Sequence, residues 1–314
     1  MSIASTELIV HQQFGQALER AHRVIHRALA GESLMLPIFG PTRVGKSQLV
    51  DELVAAYPSQ LVDGVRRQPL VRVKVLGRPT RRSLSEAVLM ALNTRRYGRA
   101  SADELMSRVC DLLRVVGTRV LLFEEMQQFV EGMSAKATRE ASDWLKIMAE
   151  ELGITLILVG LPITSEIFLR NEQLRDRAER VQEIRPYNWN DPLQQGEFQQ
   201  ALNALLEAYL EAGWLLPVAQ DPELLARVYG SCLGRVGMLF KLFVAVEHLA
   251  RKHVLDFALL ARAHEEAIQT DFLQFNPFDK SRTLTHNLLV ESYVRVLTEA
   301  HMSIPKVRQA EVVA

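Results

Sequence analysis

Residues 40 to 47 read Gly-Pro-Thr-Arg-Val-Gly-Lys-Ser, a spacing that suits phosphate chemistry. Gly40 and Gly45 let the backbone turn so that several N–H groups point inward at phosphate oxygens. A helix opening directly after the loop adds the positive end of its dipole. Lys46 then reaches the β- and γ-phosphates as a point charge, and the Ser47 hydroxyl faces Mg²⁺. The pattern is G-x-x-x-x-G-K-[ST]. Gly40, Pro41, Thr42, Arg43, Val44, Gly45, Lys46 and Ser47, with Gln48 behind them, form the expected ATP-binding segment. ATP and Mg²⁺ are the expected cofactors. A chance match on an ordinary strand–turn–helix is the bland alternative.

A second group lies at Val-Leu-Leu-Phe-Glu-Glu, 120 to 125. An apolar strand that delivers a carboxylate at its end suits the water shell of Mg²⁺. Glu124 takes that place, with Glu125 as general base toward the attacking water. Two ordinary acids at a solvated strand end would read the same way. Glu124 stands where Asp is usual and is one methylene longer, which bears on turnover more than on binding. At Val-Gly-Leu-Pro-Ile-Thr-Ser-Glu (159 to 166), Leu161 occupies a place where a polar γ-phosphate sensor is often found. Thr164 or Ser165 could substitute, or the segment is a plain loop.

Arginines cluster at 169 to 180. One of them, Arg177 first and Arg175 or Arg180 as alternatives, could reach a neighbouring copy's γ-phosphate; a solvated helix face is the alternative. Arg235 opens a later helix and could fold over the nucleotide, or simply lie at a helix start. Further basic residues gather at Arg72, Lys74, Arg78, Arg81 and Arg82, and at Arg95, Arg96 and Arg99 beside Tyr97. Such groups suit contact with a phosphate backbone without base reading, or a solvated face.

The elements that must hold these groups follow from hydrophobic spacing. Residues 11 to 30 carry Phe14, Leu18, Ala21, Val24, Ile25 and Leu29 at helical intervals, and Gly31 stops them. Leu-Met-Leu-Pro-Ile-Phe is a short buried strand before Gly40, and 47 to 57 is a helix. Strands are expected at 70–76, 120–126, 154–162 and 181–187. Helices are expected through 84–93, 102–116, 142–152 and 163–180. Strands alternating with helices imply an α/β fold with a mainly parallel sheet covered on both faces. After Asn-Trp-Asn-Asp-Pro (188 to 192), from about 193 to 272, only helical periodicity remains. The expected division is a nucleotide-binding core at 1–189, an all-helical lid at 190–275 and a tail at 276–314.

The chain's 314 residues carry 37 basic and 37 acidic side chains, so net charge is zero. Nucleic-acid binding through the field of the whole molecule is excluded, which leaves local patches or patches aligned by self-association. Cys110 and Cys232 sit in apolar surroundings and read as buried thiols, with no disulfide framework or zinc spacing. The start lacks a signal-peptide pattern and no apolar run is long enough to span a bilayer. A cytoplasmic protein without membrane contact is expected.

The order of these motifs resembles the TniB/TnsC group of AAA+ transposition ATPases over roughly residues 8 to 245. Specific cues are the Pro-Thr segment after the second strand, the acid pair followed by Met-Gln-Gln-Phe, and a Trp-Leu-Lys helix. A Val-Gly-x-Pro turn and Gln-Leu-x-x-Arg ahead of Pro-Tyr complete the set. The short ends are similar to members found in CRISPR-associated transposons. The resemblance implies ATP-dependent rings or filaments around double-stranded DNA, bound without sequence preference, that link a target-selection protein to a transposase. It carries over Lys46 and Ser47 for nucleotide and Mg²⁺, Glu124 and Glu125 for metal and water, and Arg177 as the trans arginine. DNA contact falls on the loop from Lys74 through Arg78, Arg81 and Arg82. Two other classes fit the core motifs alone: an AAA+ ATPase acting on proteins, and a signalling or defence switch. The first would favour an aromatic pore loop where Gly-Arg-Pro-Thr-Arg-Arg stands. The second usually carries a further domain.

Overall fold

The computed structural model describes residues 3–6, 12–94, 98–269 and 272–305. By contacts the chain divides into two compact units, Gln12–Ile184, and Met1–His11 with Arg185–Ala314. Each is described by itself. Arg95, Arg96 and Tyr97, and the tail beyond residue 305, lie outside the described residues.

The unit Gln12–Ile184 is built on a five-stranded sheet. Its strands are β1 (Met35–Phe39), β4 (Leu70–Lys74), β5 (Val120–Glu124), β6 (Thr155–Gly160) and β7 (Gln182–Glu183). Their order is β4-β5-β6-β1-β7, and every pairing is parallel. All the strand C-termini therefore emerge along one edge, where open α/β sheets bind their ligands. β1, β5 and β6 are buried along their whole lengths, as strands covered on both faces must be.

Alternate residues build two cores. Leu36 and Ile38, Leu70, Val120 and Leu122, and Ile157 and Val159 pack with α2 (Gln12–Leu29) and α3 (Lys46–Ala56). Phe39, Val71, Val73, Leu121, Phe123, Leu156 and Leu158 pack on the other face. That face is covered by α4 (Arg81–Ala91), α5 (Ala102–Val116) and α6 (Ala135–Glu151), with the short α7 (Glu166–Arg170) and α8 (Glu172–Arg177). Trp144 on α6 is fully buried there and donates from Nε1 to Ser85 Oγ on α4 at 3.0 Å. Its polar tip is thereby satisfied inside the core.

The structure differs from the sequence reading at four places. Helix α6 starts at Ala135 rather than 142. Ser134 caps it, accepting from Ala137 N, and the first turns bury only small residues, Thr138 and Ala141, which leave no apolar stripe. The helical pattern over 163–180 breaks at Asn171, which is extended and caps α8 by accepting from Leu174 N; a short polar side chain that bonds nearby backbone competes with helix continuation. The last strand shrinks to two residues paired with Ile38 and Phe39. An unforeseen hairpin joins β2 (Gln60–Val62) to β3 (Val65–Arg67) through Asp63 and Gly64, with φ of 51° and 75°. Two successive positive φ values make the tight turn that Asp-Gly favours.

The second unit is helical. It contains α1 (Ile3–Thr6), α9 (Pro192–Glu211), α10 (Leu224–Cys232), α11 (Val236–Leu249), α12 (Phe257–Ala267) and α13 (His286–Glu299). Asp191 caps α9 and Pro192 opens it, a pairing suited to a helix start. Its core holds the aromatic residues Tyr187, Phe198, Tyr209, Trp214, Tyr229 and Phe243. Arg227 lies buried in it, donating to the carbonyls of Pro277, Asp279 and Arg282, so one cation ties the 277–282 segment to α10. Both cysteines are buried free thiols, and burial pushes the Cys232 thiol up to about 12. Among the described residues no single helix is long and apolar enough to cross a membrane.

Candidate functional site

The loop from Gly40 to Gly45 leaves the C-terminal end of β1 and runs into α3. Gly40 is required by its surroundings: a Cβ there would lie 2.3 Å from the Ile184 carbonyl oxygen. Arg43 and Gly45 take φ of 66° and 98°, so the loop turns twice through left-handed backbone. Val44 is buried and anchors the loop, while Thr42 and Arg43 are exposed. α3 opens at Lys46 behind Gly45, which offers no side-chain cap. The first amides of a helix have no intrahelical acceptor, so those of Lys46, Ser47 and Gln48 form an anion cradle with the helix dipole behind it. Ser47 and Gln48 are exposed at this end, and the Gln48 side chain donates from Nε2 to Glu52 Oε1 at 3.1 Å.

The Lys46 ammonium donates to the Gly40 and Pro41 carbonyl oxygens at 2.7 and 2.5 Å. Burial pulls its pKa down to about 8, opposed by the Glu125 carboxylate. A cation held half-desolvated beside helix-start amides is matched to a phosphate group. These residues fit a nucleoside triphosphate.

The acid edge is built differently. Glu124 ends β5 with 7 % exposure and points to the same sheet face as α3, because Val120 and Leu122 do. Arg72 on the neighbouring β4 grips both Glu124 oxygens, through Nε and through Nη2 at 3.1 Å, and reaches Asp51 on α3 through Nη1 at 2.6 Å. The pairing raises the Arg72 pKa, with Glu124 the main cause. Arg72, counted from sequence among the basic residues suited to DNA, is thus engaged within the site. Ser47 and Glu124 supply hard oxygen donors of the kind Mg²⁺ takes alongside waters and phosphates. That donor set fits Mg²⁺, with Arg72 as a competing cation.

Glu125 follows with left-handed backbone, φ 60° and ψ 36°. This turn lifts its carboxylate out of the buried strand line, and the residue is exposed. Gln127, which sequence reasoning passed over, holds it: Nε2 donates to Glu125 Oε2 at 2.5 Å. The Oε1 of Gln127 accepts from Leu161 N at 3.3 Å, which ties the acid edge to the end of β6. The only sequence signal was its place in Met-Gln-Gln-Phe. Of the two hydroxyls considered near Leu161, Ser165 is exposed and donates to the Pro162 carbonyl. Thr164 is fully buried, its Oγ1 without a hydrogen-bond partner, and close to where a Cβ on Gly160 would lie.

The remaining candidates have other partners. Arg177 ends α8 and pairs with Glu150 at 2.8 Å while keeping 46 % side-chain exposure. Arg175 is engaged with Glu172 and Asp176, and the Arg180 carbonyl accepts from Arg20. Lys74, expected in the loop, instead ends β4 opposite Glu124, and Arg78 lies in the loop after it; both are exposed. Arg81 lies 3.8 Å from Asp103, and Arg82 pairs with Glu86 at 2.8 Å. Arg235 belongs to the helical unit. It is 9 % exposed, donates from Nε to the Cys232 carbonyl at 3.3 Å, and burial lowers its pKa. Gly234 before it is fixed by the Tyr187 backbone, whose oxygen would lie 2.3 Å from a Cβ.

The family model described as "Bacterial TniB protein" matches residues 1–189. The chain belongs to the TniB family. A comparison with curated proteins gives no match. Among solved structures, the Aeropyrum pernix ORC1 protein in complex with DNA is 15% identical, with a TM-score of 0.58. It covers 96% of this chain and 81% of that one. The Aeropyrum pernix ORC2 protein, in ADPNP–ADP complexes, is 15% identical at TM-score 0.58, over 84% of this chain and 71% of its own. Cdc6p from Pyrobaculum aerophilum is 14% identical at TM-score 0.57, over 97% and 85%. At such identity the likeness establishes the fold, that of AAA+ P-loop ATPases.

Proposed function

We propose that this TniB-family chain is an ATP-dependent, self-associating, DNA-binding regulator of transposition that links target-site selection to a transposase. The observation that carries it is the phosphate cradle of Gly40 to Gln48, set on the same sheet edge as Glu124 and Glu125. Family membership supplies the biological setting, and the transposase, the target-selection protein and the CRISPR-associated context belong to the proposal. So does the division into a core (1–189), a helical lid (190–275) and a partner-docking tail (276–314).

In this reading the loop amides and Lys46 bind the β- and γ-phosphates of ATP. Mg²⁺, held through Ser47 and Glu124, supplies charge neutralisation on the phosphate oxygens. Glu125 accepts a proton from the attacking water as the bond from the γ-phosphorus to the bridging oxygen breaks, giving ADP and phosphate. Gln127 keeps that carboxylate in place. Arg177 of a neighbouring copy leaves Glu150 to meet the γ-phosphate charge, so ATP favours assembly. Arg235 closes over the nucleotide from the lid. Lys74, Arg78, Arg81 and Arg82 of successive copies then line DNA phosphates, which reconciles DNA binding with zero net charge.

The reading is tested by fluorescence anisotropy of labelled duplexes across a salt series, with ATP and Mg²⁺ present. Affinity falls steeply with salt and is indifferent to base sequence. Salt-insensitive or strongly sequence-selective binding contradicts it.

A further inference from the structure

Glu124 is the one carboxylate of the site that is buried, and one guanidinium takes both of its oxygens. Side-on engagement of this kind uses the lone pairs that a hydrated metal would need. Two cations beside one carboxylate also repel each other. The register explains how the pair forms. Lys74 lies opposite Glu124 and Arg72 opposite Leu122, so Arg72 sits one pleat earlier on the same face and its long side chain runs forward to the acid. The arginine has a second seat. Asp51 on α3 accepts from its Nη1 at 2.6 Å and is half exposed, so the guanidinium can lean toward either acid without losing an ionic partner.

We propose that Arg72 is a built-in counter-cation that competes with Mg²⁺ for Glu124, with Asp51 as the seat onto which it withdraws when the metal–nucleotide pair loads. Arg72 is then a positioning residue of the nucleotide site and not a DNA contact. The competition raises the Mg²⁺ concentration needed for loading above what a lone carboxylate would require. Glu in place of the usual Asp fits the arrangement, because the extra methylene lets the acid meet the guanidinium along the sheet. The inference rests on the nucleotide reading above.

The test is the Mg²⁺ concentration that half-saturates binding of a fluorescent ATP analogue to the full chain. Arg72→Met lowers it about five- to tenfold, the lower range of couplings between linked sites. Asp51→Asn removes the second seat and raises it. In a Glu124→Gln background Arg72→Met has no further effect. An unchanged Mg²⁺ requirement in Arg72→Met, with a normal thermal melt, overturns the proposal. If that variant does not fold, the exposed Asp51→Asn decides: a raised requirement supports the competition and an unchanged one overturns it. Wild type that binds the analogue at no Mg²⁺ concentration overturns the nucleotide reading and this inference with it. Wild type that binds normally while the variants match it overturns only the inference.

Discussion

The two halves of the site edge are made of different materials. The phosphate half, at the end of β1, is mostly backbone: a glycine against the Ile184 carbonyl, two left-handed residues and the bare start of α3. The acid half, at the end of β5, is a side-chain network in which Arg72, itself bonded to Asp51, holds Glu124, and Gln127 holds Glu125. Backbone geometry fixes which residue types are tolerated and at what spacing. A side-chain network can be assembled from residues far apart in sequence, so it leaves no local pattern. The first half should therefore govern binding and the second turnover and metal response.

The largest expected effect separates the halves by reaction step. Glu125→Gln lowers ATP hydrolysis by about 10²- to 10⁴-fold, the range of a lost general base, and leaves nucleotide affinity close to wild type. Phosphate-release kinetics beside equilibrium binding check this. A parallel loss of affinity would mean that the acid half also builds the cradle.

Lys46→Ala acts on the other half. It removes the charged donor to phosphate, at a cost of about 2–3 kcal/mol or roughly a hundredfold in affinity, measurable by calorimetry. Retained affinity would show that the loop amides suffice.

Gly40→Ala is next. Its Cβ meets a backbone oxygen of the neighbouring segment, and the overpacking costs about 2–3 kcal/mol of stability. The melting temperature drops and nucleotide binding weakens with it. Gly31→Ala, with a clear Cβ position but positive φ, is a comparison for backbone strain without the clash.

The smallest effect is in pH. The Lys46 pKa is held near 8 by burial, below its ordinary value, and bound triphosphate favours the charged form and raises it again. Binding near pH 8 and above therefore takes up protons, and affinity declines as pH rises through that range. Near pH 6.5, where the ammonium is already charged, Lys46 contributes no uptake. Calorimetry in buffers of different ionisation enthalpy reads this directly: the apparent enthalpy depends on buffer at pH 8 and scarcely does so at pH 6.5. Buffer independence at pH 8 would place the Lys46 charge outside the binding step.

The same contrast explains what was legible beforehand. The parallel α/β sheet followed from continuous apolar runs, and its order puts β6 between the loop strand and the acid strand. Gly40, Gly45, Lys46 and Ser47 were readable because phosphate binding constrains neighbours within eight positions. Arg72 was readable only as one more basic residue, since its partners lie 21 and 52 positions away. Gln127 looked like an ordinary polar residue, and its role depends on the end of β6, 34 positions on. The Asp63-Gly64 hairpin had a local signature and was passed over because its strands are three residues each and largely exposed. Asn171 broke a helix whose apolar spacing ran straight through it.

The central claim is that nucleotide at this edge gates assembly on DNA. Light scattering of wild type and Lys46→Ala, with and without ATP, Mg²⁺ and a short duplex, tests it most directly. The account predicts growth of the particle only when ATP and DNA are both present, and none for Lys46→Ala. A monomer whose size is indifferent to ATP and DNA would contradict it.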